Sequence, residues 1–138
     1  MNANARYFEF HDAIQSSLTI SKSRVELTFS HISGYFETDQ PELFDVKSCS
    51  GPLIITNARS ANLSLPLVDR IEAADGVLLV NGHEVSLGRE VSFAGNCRVS
   101  LTLVGYGERS GELIVEGSNV DFHCETVGRL MEQFHGAI

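Results

Sequence analysis

The sequence predicts an all-β fold, an antiparallel β-sandwich or flattened barrel of about eight or nine short strands. Two patterns carry that expectation. Apolar and polar residues alternate with period two along most of the chain, and Gly, Pro, Asn and Asp interrupt the alternation at roughly 8 to 12 residue intervals. Composition sets the domain count: 138 residues at 43% hydrophobic and 20% charged content can bury one core and are too apolar for disorder, so residues 1–138 are expected to form a single domain.

The alternation is clearest from Arg24 to Ile32, where Val25, Leu27 and Phe29 share one face and Glu26, Thr28 and Ser30 the other. Upstream, Arg6 to His11 and Ile14 to Ile20 read as two further strands. Between residues 34 and 52 the period is lost among Gly34, Asp39, Pro41, Ser48, Ser50, Gly51 and Pro52, and a long loop is expected. Leu53 to Thr56 is a short apolar run. Leu63, Leu65 and Leu67 alternate around Pro66, which demotes that stretch to a sheet edge.

Val77 to Val80, then Asn81-Gly82, then His83 to Leu87 is the strongest local signal, because Asn-Gly accepts the positive φ angles of a two-residue type I′ hairpin turn. A second hairpin is expected from Val99, Leu101 and Leu103 through Gly105–Gly111 to Leu113 and Val115, with Val120, Phe122 and Cys124 as a last strand. The tail reads two ways. Val127, Leu130, Met131 and Phe134 fit a helical stripe of about two turns, and a short C-terminal helix over residues 126–135 is one expectation, although Gly128 costs such a helix about 1 kcal/mol.

A net charge of -8, with 4 basic against 10 acidic groups after residue 70, excludes a phosphate-tracking surface and disfavours anionic membranes. The start lacks a basic stretch followed by an apolar core, so it does not read as a signal peptide. Cys49, Cys97 and Cys124 are odd in number, 48 and 27 positions apart, and form no Cys-x-x-Cys pair; reduced thiols in a cytoplasmic protein are expected. Cys49, between two serines in the expected loop, would be the exposed one.

Sequences that mimic catalytic motifs fail on context. Gly105 to Gly111 has the wrong spacing for a dinucleotide fingerprint and precedes an alternating segment rather than a helix. His83-Glu84 lacks the second His of a zinc protease, since position 87 is Leu87. Ser110 lacks the Gly-x-Ser-x-Gly elbow. What remains is Glu9 and His11 on one strand and Asp121 and His123 on another, each pair spaced i, i+2 on one strand face. Were those strands neighbours, two His and two carboxylates could meet around a divalent metal. On half-buried strands the same residues are simply the polar parity, opposite Phe8, Phe10, Val120 and Phe122.

Phe8-Glu9-Phe10-His11-Asp12, Val25-Glu26-Leu27-Thr28-Phe29 and Glu132-Gln133-Phe134 together resemble small uncharacterised bacterial all-β proteins that open with a Phe-His-Asp strand. The resemblance implies a sandwich-like fold of unknown function, no catalytic residues to carry over, and an extended tail in place of the helix.

These observations point to a non-enzymatic binding or protein-interaction module with no cofactor and no bound metal. Its expected partner is another protein or a second copy, not nucleic acid and not a membrane. An immunity protein covering a basic toxin and a metal-dependent hydrolase built on Glu9, His11, Asp121 and His123 are the alternatives.

Overall fold

The computed structural model describes residues 5–64, 71–104 and 110–138. Nine strands occur among them: β1 (Ala5–Ser21), β2 (Arg24–Glu37), β3 (Leu43–Thr56), β4 (Ser60–Leu63), β5 (Ile71–Val80), β6 (His83–Val85), β7 (Ser92–Val104), β8 (Ser110–Phe122) and β9 (Thr126–His135). Every strand pairing is antiparallel. Six strands in the order β8-β7-β5-β1-β2-β3 form a closed barrel, because β3 pairs back onto β8 from Leu53–Phe122 to Thr56–Asn119. The other three strands are appendages: β4 on β8, β6 on β5 and β9 on β3.

The all-β expectation therefore holds, as a barrel and not as a sandwich. Strand length makes the difference. The two short strands expected before residue 21 are one strand of 17 residues, bulged around Asp12, whose φ of 63° is left-handed. Past the bulge the buried parity switches from Phe8 and Phe10 to Ala13 and Gln15, which lets β1 pair with both β2 and β5 and bend the sheet toward closure.

The long loop expected over residues 34–52 is the second departure. β2 runs on to Glu37, and β3 begins at Leu43, paired from Glu37–Phe44 to Val25–Ile55. Its inward positions are Cys49, Gly51, Leu53 and Ile55, all buried. Buried Cys packs as a small hydrophobe, so the inward parity was present at Cys49 but hidden by Gly51 and by the serines and proline on the other face. At Gly51 a Cβ would lie 1.8 Å from the His123 carbonyl oxygen, so the crossing of these two segments requires glycine.

The tail is a strand, correcting the helical expectation and agreeing with the extended form. β3 offers its free edge to β9 over Leu43–His135 to Ser50–Thr126, and this ladder outweighs a weak helical stripe. Gly128, a defect in a helix, here lets the backbone approach Ser48, whose carbonyl would stand 2.9 Å from an added Cβ.

The Asn81-Gly82 hairpin forms as expected, with φ values of 52° and 82° and Val80 opposite His83. β7 and β8 form the second hairpin, and the expected return and last strands are a single strand of 13 residues. Its turn, Gly105 to Arg109, and the alternating Leu65 and Leu67 around Pro66 lie outside the described residues.

The barrel is filled. Val25, Leu27, Phe29, Leu101, Leu103, Val115 and Phe122, the expected core, are at most 1% exposed. Phe8 and Phe122 come from strands on opposite sides of the ring and meet edge-on at 4.9 Å, and Phe29 packs on Phe122 at 6.5 Å. Gln15, opposite Phe29, is buried among these apolar groups, and neither its side-chain oxygen nor its nitrogen is hydrogen-bonded.

Two substitutions measured by chemical denaturation check this interior. Phe122→Ala should cost about 3–5 kcal/mol, because it empties the point where three strands meet. Gln15→Met should stabilise by about 1–3 kcal/mol, since it removes an unsatisfied amide at nearly constant volume. A neutral Phe122→Ala, or a destabilising Gln15→Met, would contradict the packing described.

Candidate functional site

Glu9 and His11 lie on β1, and Asp121 and His123 lie on or just after β8. Those strands are three places apart around the ring in either direction. Because Phe8 and Phe122 point inward and touch, Glu9 and Asp121 point outward on opposite walls. The four residues do not come together. Among the described residues no group of three or more His, Cys, Asp and Glu side chains is arranged to hold a metal.

Each has a local role instead. Glu9 accepts a 2.7 Å hydrogen bond from the Tyr35 hydroxyl. Asp121 accepts one from Ser92 on β7, its register partner. The His123 backbone N–H donates to the Pro52 carbonyl beside the Gly51 crossing. His11 donates its Nδ1–H to the Ala74 carbonyl, which fixes that proton, and its Nε2 lies 3.4 Å from the Asp12 carboxylate. Both ring nitrogens thus face acceptors. The Ala74 bond first, and then Asp12, raise the His11 pKa above its ordinary value of 6.5.

Chemistry concentrates elsewhere, on the outward face shared by β1, β2, β3 and β9. Cross-strand register places Tyr7 opposite Tyr35, Tyr35 opposite Val46, Val46 opposite Glu132, and Phe44 opposite Phe134. The rings of Tyr7 and Tyr35 are 5.6 Å apart, and Phe134 meets Tyr35 edge-on at 5.7 Å. Burial first, and then the bond to Glu9, hold the Tyr35 hydroxyl protonated well above the usual tyrosine range. This aromatic strip was missed because Phe44 and Val46 fell in the expected loop and Phe134 in the expected helix. The visible signal was Tyr7 and Glu9 at i, i+2.

Beside the strip lies a row of hydroxyls. His31 Nδ1 is 2.6 Å from Ser48 Oγ, Ser33 Oγ is 3.4 Å from the other ring nitrogen, and Ser50 bonds Thr126 across the β3–β9 ladder. A Ser–His contact is the first element of a nucleophilic site, which also needs a third group orienting the imidazole through its second nitrogen. Here that nitrogen faces another serine, and the row links three strands by side-chain bonds.

Cys49 is 1% exposed, correcting the expectation of an exposed thiol. Its side chain packs against Gly34 and borders Cys124, and burial pushes its pKa up to about 12. Burial also raises Cys97 and Cys124, so all three thiols are held away from the reactive thiolate.

The end of the strip is the most exposed element. Every residue of β9 is exposed, including Val127, Leu130 and Met131, the last two at 52% and 54%, and Phe134. β9 pairs with β3 on one side. No described strand pairs with its other side. No helix of the described residues is long and apolar enough to cross a membrane. No family model, curated protein or solved structure matches the chain.

The His11 contacts yield a pH dependence with a definite sign. A pKa raised in the folded state means that these contacts contribute fully below pH 6.5 and are lost as pH rises through the folded-state value. Titration of His11 by NMR should give a midpoint above 6.5, and the stability difference between the parent and His11→Ala should shrink as pH rises through that midpoint. A midpoint below 6.5 would contradict the two-acceptor geometry.

Proposed function

We propose that this chain is a non-enzymatic protein-interaction module whose contact surface is the free edge of β9 together with the aromatic strip behind it. The observation that carries this reading is β9 itself. An edge strand presents a row of backbone donors and acceptors that can template a further strand, and proteins that avoid such pairing blunt their edges with Lys, Pro, bulges or a covering element. β9 holds no Lys and no Pro, its two bulges lie between Val127 and Glu132 and leave Glu132–His135 regular, and it exposes Leu130, Met131 and Phe134 beside its unpaired side. β-strand addition is the recognition mode that suits it: backbone bonds supply affinity and alternate side chains supply selectivity.

The filled barrel supports the same reading, since Phe8, Phe29 and Phe122 occupy its interior. Among the described residues the thiols are buried, and Glu9, His11, Asp121 and His123 diverge, so the metal-hydrolase alternative has no convergent ligand set there.

A photo-crosslinking residue placed at Leu130 in living cells tests the proposal. It should yield a discrete protein adduct, while the same residue at exposed Ile20, on the far end of β1, should yield none. Equal labelling at the two positions, or no adduct from Leu130, would refute β9 as the contact.

A further inference from the structure

We infer that the occupant of the β9 edge is a second copy of this chain, paired antiparallel about a two-fold axis normal to the sheet so that the two sheets run on as one. The inference rests on the contact edge proposed above and names its partner.

Apolar side chains on both faces of β9 come first. Val127 and Leu130 stand opposite Cys49 and Lys47, on the face that continues the barrel interior, whereas Phe134 stands opposite Phe44 on the outward face. An element laid over the sheet would cover one of these sets. A strand added at the edge flanks both.

Charge then separates a second copy from a basic partner. The chain carries -8, and two copies repel each other over most of their surface. The corner made by Leu43–Ser50 of β3 and by β9 holds Asp45, Lys47, Arg129 and Glu132, two of each sign, and is neutral. It is a place where two acidic copies can approach. A basic partner would find its complement elsewhere on this acidic chain.

Register and symmetry locate the seam. β9 is bulged against β3 between Val127 and Glu132 but regular from Glu132 to His135, so the regular stretch is the part able to continue a ladder. A two-fold axis normal to the sheet keeps both outward faces on one side. The strip of Tyr7, Tyr35 and Phe134 then continues into its copy, with the two Phe134 rings beside the seam. Each copy presents the same patch, the self-complementary arrangement that closed dimers use.

Light scattering coupled to size-exclusion chromatography tests the inference on the full chain. The parent should run at twice its 15.1 kDa mass, and Leu130→Lys/Phe134→Lys should weaken dimerisation at least ~100-fold, about 2.7 kcal/mol, while keeping the parent far-UV circular dichroism. If that double variant loses its β signal, Phe134→Gln is used in its place, with the same expected direction. Ile20→Lys/Val104→Lys, an equal charge change at two exposed apolar sites on β1 and β7, should stay dimeric. A monomeric parent at its highest soluble concentration, or a dimer indifferent to folded β9 variants, would overturn the inference. A monomeric parent that still crosslinks from Leu130 to a different protein would remove the second copy alone and leave β9 as the contact.

Discussion

The contact between Phe8 and Phe122 is what the rest of this molecule depends on. The two residues come from strands on opposite sides of a six-stranded ring, and their rings meet inside it with Phe29 against the same partner. A barrel this narrow is stable only when its side chains fill it. Three phenylalanines do that here, supported by Leu27, Leu53, Ile55, Leu101 and Leu103. The same contact decides the fate of the neighbouring residues. Once Phe8 and Phe122 face each other, the strand alternation sends Glu9 and Asp121 to opposite outer walls, so the packing that closes the barrel also dissolves the metal constellation.

Closure has a second consequence, at the seam between β3 and β8. Only Leu53–Thr56 of β3 pairs with β8, and the remaining length of β3 extends past the end of that strand. The chain leaves β8 at Phe122, crosses Gly51 with the His123 carbonyl packed where a side chain would otherwise be, and continues as β9 along the rest of β3. β9 is thus a product of the stagger between β3 and β8, which are nearly equal in length but overlap only over Leu53–Thr56. It extends the sheet beyond the barrel, where nothing in the described chain covers its outer edge.

Much of this was legible in the sequence, and the failures share a cause. Val25, Leu27, Phe29, Leu101, Leu103, Val115 and Phe122 were readable as core because each sits in an unbroken alternating run. The Asn81-Gly82 turn was readable because its positive φ angles restrict the residues able to occupy it. Residues 43–52 were not, because Ser48, Ser50, Gly51 and Pro52 use turn-forming types inside a strand, for reasons of packing against His123 and Gly128 that lie 71 or more positions away. The tail was ambiguous because two bulges shift the parity of β9, so its apolar residues fall at helix-like spacings. The aromatic strip inherits both problems, since Phe44 and Phe134 meet only when both segments are strands.

The central proposal is that, of the three strands appended to a filled, closed barrel, β9 is the contact surface. Residue-resolved hydrogen exchange at two protein concentrations tests it most directly. Amides in the β2–β3 and β7–β8 ladders should be the slowest, opening only with global unfolding and indifferent to concentration. Amides of Glu132–His135 should exchange quickly in dilute solution and become protected as concentration rises. Protection of β9 equal to that of β8 in dilute solution, or fast exchange of β9 at every concentration, would contradict the account.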